Sequence, residues 1–154
     1  MYSDKAITTL NGLLEINNDR IEGYKAAYSE TEDFDLKRIF TNLRETSERC
    51  KTALENEIFR IGGKPTTGTR ATGKIFRMWM DFKSSLTGKS QRAVLNSCEQ
   101  GEDVAVSAYE DVLNNKPSES LTPDQINMVN EQYAVIKSDH DLVRSLRNAA
   151  VDAS

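Results

Sequence analysis

Three of the long helical patterns in this chain carry a polar residue in the middle of an otherwise apolar stripe. Asn17 interrupts the first stripe, Glu102 interrupts the third, and the only histidine, His140, interrupts the fourth. A buried charge or imidazole is costly unless it is paired. Amide, carboxylate and imidazole groups at one depth of a helical bundle can build a metal or ligand site, and they can also satisfy one another's hydrogen bonds.

Other polar side chains lie at the same height when positions are counted along the helices at about 1.5 Å per residue. The sequence therefore predicts a mid-bundle polar layer made of Asn17, Ser47, Glu102 and His140. The ligands of a metal bound in this layer would be Glu102 and His140, assisted by Glu48 or Glu99. Carboxylate and imidazole groups bind iron, manganese or zinc, so these are the metals that the pattern admits.

A two-metal centre fits the pattern less well. Di-iron bundles take a glutamate from each of two helices and a Glu-x-x-His motif from each of the other two. Here the second helix offers Glu45-Thr-Ser-Glu48 and the fourth offers Lys137-Ser-Asp-His140, where the lysine would repel a dication. We therefore expect a hydrogen-bonded layer that sets the helix register and holds no cofactor. A single metal on Glu102 and His140 is the alternative.

Four long helices are predicted to position these residues, over about residues 4–29, 35–61, 90–114 and 122–149. Gly62 and Gly63 end the second helix, and Thr122 with Gln125 forms a capping-box signal for the fourth. Short connections make antiparallel hairpins of helices one and two and of helices three and four. The long segment 62–89 predicts a crossover between the hairpins. We expect one all-α domain, a four-helix bundle spanning residues 1–154.

The crossover is the most basic part of the chain. Residues 60–92 hold eight basic side chains and one acidic side chain, a net charge of +7 that leaves −11 for the remainder. An apolar stripe at helical spacing predicts a short helix within it. That helix would either cover the bundle or present a basic, aromatic surface that contains Phe76, Trp79, Phe82 and Lys83. A homodimer, or a peripheral contact with an anionic surface, would use this crossover surface.

Composition argues against several classes of function. The net charge of −4 does not suit general nucleic-acid binding, which needs a basic excess. No apolar run reaches the length of a transmembrane segment, and residues 1–6 do not resemble a signal peptide, so a cytoplasmic location is expected. Cys50 and Cys98 lie on apolar helix faces and are expected as buried thiols. Since no nucleophile and base are convincingly paired, we do not expect an enzyme.

Several short segments spread over nearly the whole chain form a combined pattern. They are Glu22-Gly23-Tyr24, Gly62-Gly63-Lys64-Pro65, Trp79-Met80-Asp81-Phe82-Lys83, the run from Leu95 to Asp103, Ala108-Tyr109-Glu110 and His140-Asp141. The pattern resembles a bacterial family of uncharacterised proteins, a domain of unknown function with a ferritin-like four-helix bundle. The resemblance implies that fold and a crossover carrying a short helix, and it implies no established activity.

Ferritin-like relatives often bind iron or manganese, but this chain departs from their ligand pattern on helices one, two and four. Fold alone does not carry a function from one protein to another. We therefore expect a non-enzymatic helical-bundle protein that acts through self-association or partner binding. The alternative is a metal-binding ferritin-like protein with a carboxylate and histidine site in the middle of the bundle.

Overall fold

A computed structural model describes residues 2–69 and 91–150 of the chain. These residues form helices α1 (Tyr2–Glu30), α2 (Phe34–Arg60), α3 (Gln91–Asn114) and α4 (Pro123–Ala149), with a short 3₁₀ turn at Pro117–Glu119. Within the two described ranges there is no β-strand. The predicted all-α fold is confirmed, and every helix begins and ends within two residues of its expected position. The short helix expected in the crossover, with Phe76, Trp79, Phe82 and Lys83, lies outside the described residues.

Local sequence signals begin and end the helices. The Asp33 side chain accepts a hydrogen bond from the backbone N–H of Leu36 and caps α2. The predicted capping box of α4 is present, because Thr122 accepts from the N–H of Gln125 at 3.2 Å and Gln125 accepts from the N–H of Thr122 at 2.9 Å. After α2, Gly62 has φ of +86°, a left-handed conformation that glycine adopts without strain.

The helices pack as two hairpins. α1 packs along α2, α3 packs along α4, and the hairpins meet mainly through α1 and α3. The apolar core has two parts, represented by Leu10, Leu54, Ile58 and Val129 in one half and by Tyr24, Phe40, Leu95 and Val143 in the other. Asn17, Arg20, Ser47 and Glu102 lie between these two parts along the chain and are fully buried. A polar layer therefore separates two apolar halves of one bundle.

The beginning of the crossover lies against α1. Asn11 donates to the backbone carbonyl of Lys64 at 3.1 Å and accepts from the N–H of Thr66 at 2.8 Å. About two turns further along α1, Asn18 donates to the carbonyl of Gly68 at 2.8 Å. The connection thus follows α1 toward the middle of the bundle. None of the helices within residues 2–69 and 91–150 combines the length and apolar character needed to span a membrane.

Candidate functional site

A buried arginine lies at the centre of the polar layer. Arg20 of α1 is 1% exposed, and its guanidinium contacts one residue from each of the other three helices. Nε and Nη2 donate to Oε1 and Oε2 of Glu102 at 2.6 and 2.9 Å. Nη1 donates to Oγ of Ser47 at 2.5 Å, and Nη2 also donates to Oδ2 of Asp139 at 3.1 Å. The paired contact with Glu102 is the two-pronged geometry that makes arginine–carboxylate bonds strong.

This arginine is a permanent internal cation. Burial alone would lower the pKa of Arg20, but the Glu102 carboxylate, with smaller contributions from Tyr24 and Asp139, raises it above its ordinary value. The guanidinium carbon lies 5.6 Å from the ring centroid of Tyr24, where an aromatic face attracts a cation. Burial raises the pKa of Asp139, although the attraction of Arg20 opposes this. A fixed positive charge therefore lies between two carboxyl groups.

A chain of hydrogen bonds extends from this cluster across the layer. Oγ of Ser47 donates to Oδ1 of Asn17 at 2.8 Å, and Nδ2 of Asn17 donates to the hydroxyl of Tyr109 at 2.9 Å. The Tyr109 hydroxyl then donates to Oε1 of Gln132 at 2.7 Å. All four helices contribute to this chain or to the Arg20 cluster. The buried polar groups are therefore matched with one another, as buried polar groups in stable proteins are.

His140 lies apart from the Arg20 cluster. Its Nε2 is 2.6 Å from Oδ1 of Asp103 on α3, and its Nδ1 is 3.1 Å from Oδ1 of Asp141 on α4. The imidazole itself is buried, whereas the two carboxylates are 55% and 58% exposed. The structure thus brings together three of the four residues expected in the polar layer, Asn17, Ser47 and Glu102. It places His140 between α3 and α4, against carboxylates that face solvent.

The remaining expected ligands each contact an arginine. Glu99 is buried and accepts from Nε of Arg144 at 2.7 Å and from Arg147. Glu48 is half exposed and lies 3.2 Å from Nε of Arg44. Nowhere in residues 2–69 and 91–150 do three His, Cys, Asp or Glu side chains lie close enough together to hold a metal ion.

Two central residues, Arg20 and Asp139, were missed by the sequence analysis. The apolar residues Leu14, Ile21 and Tyr24 put Asn17 on a stripe through residues 14, 17, 21 and 24, but the steps 13, 17, 20 and 24 fit a helix equally well. Arginine is mostly exposed in proteins, so the residue type alone gave no indication that position 20 is buried. The signal that could have found it is its spacing, three residues after Asn17 and four before Tyr24, together with an unmatched buried glutamate at position 102.

Comparison with known proteins confirms the expected family. Residues 5–115 match a family described as Domain of unknown function (DUF2383). The chain belongs to this DUF2383 family. No curated protein matches it. Among solved structures, the DUF2383 chain is similar to the ferritin like, diiron-carboxylate proteins from Bacillus anthracis str. Ames, with a TM-score of 0.66, 16% identity and 96% of each chain covered. A likeness at that identity shows the fold alone, a ferritin-like four-helix bundle.

The residues at the centre do not fit a two-metal carboxylate site. That site needs a glutamate from each of two helices and a Glu-x-x-His motif from each of the other two. In this chain α1 contributes Arg20 and α2 contributes Ser47, and both oxygens of Glu102 accept hydrogen bonds from the arginine. If Ser47 took the place of a motif glutamate, the histidine position would hold Cys50. The centre provides one cationic side chain where the pattern needs anionic ligands.

Proposed function

We propose that this DUF2383 protein is a non-enzymatic helical bundle that acts by association, in the first instance with a second copy of itself. The observation that supports this proposal most directly is the engagement of the central polar groups. Both oxygens of Glu102 accept from Arg20, and Asn17, Ser47 and Tyr109 are joined by hydrogen bonds. A catalytic centre needs side chains that remain available to a substrate or cofactor. In this proposal the polar layer is a structural element.

The raised pKa values of two buried thiols and two buried tyrosine hydroxyls support the same proposal. Burial raises the pKa of Cys50 to about 11 and the pKa of Cys98 well above its ordinary value. Burial also raises the pKa values of Tyr24 and Tyr109. Because the reactive forms of these groups are the thiolate and phenolate, all four are held in their unreactive forms at neutral pH. A nucleophilic mechanism would need the opposite shift.

The outer face of α4 offers one surface for association. Val135 and Leu142 are 45% and 43% exposed and lie seven residues apart, so they are on one side of the helix. Met128 continues the same spacing and lines a groove between α2 and α4. Apolar residues at a seven-residue repeat suit packing against a second helix. The second candidate is the crossover surface, which contains Phe76, Trp79, Phe82 and Lys83. Its basic segment suits contact with the acidic remainder of a second copy.

Sedimentation equilibrium over a wide range of protein concentration tests the association. We expect the average mass of the wild-type protein to rise from that of a monomer to that of a dimer. Two double variants identify the surface. If the outer face of α4 is used, Val135→Glu with Leu142→Glu should shift the rise in mass to higher protein concentration. If the crossover surface is used, Trp79→Ala with Phe82→Ala should do so. The control is Phe34→Ser, which removes a highly exposed ring at the start of α2. A wild-type protein that stays monomeric throughout contradicts self-association.

The alternative is a metal-binding protein with Glu102, His140, Glu48 and Glu99 as ligands, and elemental analysis distinguishes it. Protein purified without added metal should contain iron, manganese and zinc only at sub-stoichiometric levels. Adding each metal should leave the melting temperature unchanged, because a ligand that binds only the folded state raises it. One equivalent of any of these metals, together with a raised melting temperature, would replace the proposal by the alternative.

A further inference from the structure

The Arg20 cluster is built like an ion site. Its oxygen atoms come from three helices: Oε1 and Oε2 of Glu102 on α3, Oγ of Ser47 on α2 and Oδ2 of Asp139 on α4. All of them lie 2.5 to 3.1 Å from the guanidinium nitrogens of Arg20, which belongs to the remaining helix, α1. Inward-projecting side chains at this depth are the means by which helical bundles hold metals. The guanidinium is thus surrounded by oxygen atoms in the way that a bound cation is surrounded by its ligands.

We propose that Arg20 is a built-in cation that takes the place of a bound metal: Glu102, Asp139 and Ser47 form a cation-binding pocket, and the chain fills it with its own guanidinium. The inference is independent of whether the protein associates with itself. It concerns the interior of a single bundle, whereas association concerns the outer surfaces. A failure of one can therefore be told apart from a failure of the other.

The charges and the burial support this proposal together. Glu102 is completely buried and the Asp139 side chain is 15% exposed, so two carboxyl groups lie in one poorly hydrated space. Buried charges of one sign require a partner of the other sign. Arginine fits the role better than lysine, because its planar fork can donate to both oxygens of one carboxylate and to further acceptors. Removing the guanidinium should leave a vacant site that prefers small planar cations.

Chemical rescue tests the pocket. In Arg20→Ala the site should accept methylguanidinium, which has the shape and charge of the lost group. We expect methylguanidinium to raise the melting temperature of Arg20→Ala saturably, because it binds the folded state. Methylurea, a neutral molecule of similar shape, should not do so. The wild-type protein, whose site is filled, should show no saturable rise with either molecule.

Two matched variants locate the rescue. Arg20→Ala combined with Glu102→Gln should lose it, because one carboxylate charge of the pocket is gone. Arg44→Ala removes a partly exposed arginine that pairs with Glu48 and should show no rescue. If Arg20→Ala does not fold alone, the recovery of folded protein on refolding with methylguanidinium, compared with methylurea, gives the same answer. Equal effects of methylguanidinium and methylurea on Arg20→Ala would overturn the proposal.

A second substitution tests the replacement of a metal. Arg20→Glu puts a third carboxylate in the pocket and removes its cation, so the variant should bind Mn²⁺, which prefers oxygen ligands. Titration followed by electron paramagnetic resonance should show about one tightly bound Mn²⁺ per chain in the variant and none in the wild-type protein, as expected for a pocket of hard oxygen ligands. No binding to Arg20→Glu, or equal binding to both proteins, would overturn the metal-replacement claim.

Discussion

The guanidinium of Arg20 and the carboxylate of Glu102 face each other through two parallel hydrogen bonds, although 82 residues separate them in the sequence. Neither side chain has appreciable contact with solvent. Removing such charges from water costs several kcal/mol each, and their attraction offsets that cost only while both are present. The pair is therefore more sensitive to the loss of one partner than to the loss of both.

Removing one member of this pair should strongly destabilise the fold. We expect Arg20→Met or Glu102→Leu to lower the free energy of unfolding by about 3–5 kcal/mol, because a buried charge remains without its partner. The double variant should lose less than the sum of the two. Urea unfolding measures all three. The control is Arg38→Ala, whose exposed pair with Asp35 should contribute little. Additive losses in the double variant would contradict the coupling.

The Tyr109 hydroxyl should contribute to stability through its two hydrogen-bond partners. Tyr109→Phe leaves the buried amide groups of Asn17 and Gln132 without this partner. We expect the free energy of unfolding to fall by about 1–3 kcal/mol, the usual cost of an unsatisfied buried group. Tyr133→Phe is the matched control, since the Tyr133 hydroxyl donates to Glu110 at a more accessible position. Equal losses in the two variants would argue against a closed hydrogen-bond chain.

Asp139 should make the protein less stable as the pH rises. Burial raises the pKa of Asp139 in the folded protein, so the unfolded chain loses this proton at lower pH than the folded one. Between the ordinary and the raised pKa the folded state binds more protons, and the free energy of unfolding therefore falls as pH increases through that window. Asp139→Asn cannot titrate and should lack this decline.

Urea unfolding at a series of pH values compares Asp139→Asn with the wild-type protein. The asparagine side chain still offers an oxygen to Arg20, so the variant should fold and should gain stability relative to wild type toward neutral pH. Asp35→Asn, at an exposed position of α2, should keep the wild-type pH dependence. An unchanged decline in Asp139→Asn would show that another group is responsible.

Both cysteines should resist thiol reagents in the folded protein. Cys50 and Cys98 are buried free thiols, and burial raises the pKa of each, so little thiolate forms at neutral pH. We expect slow labelling in native buffer and complete labelling of two thiols in denaturant. Ser145→Cys adds a thiol at an exposed position of α4 and should react at once with one equivalent. Rapid labelling of the wild-type protein would contradict the burial of both thiols.

The helices and their ends could be predicted because their signals are local. Periodic apolar residues, the Thr122 and Gln125 capping box and the glycine after α2 each act within a few residues. The heights of Asn17, Ser47 and Glu102 followed from counting along the helices. The choice between neighbouring positions did not follow, because residues three and four apart both reach the same helix face. Whether Arg20 or Ile21, and Asp139 or His140, faces the centre depends on the opposing hairpin.

The partners of Arg20 are distributed unequally between the two helical hairpins. Ser47 belongs to the same hairpin as Arg20, whereas Glu102 and Asp139 belong to the other. Each hairpin alone would therefore expose an uncompensated charge on the apolar face that it must bury. These charges are neutralised only when the hairpins meet. The contact therefore couples the folding of the two hairpins and favours all-or-none unfolding over the separate unfolding of either hairpin.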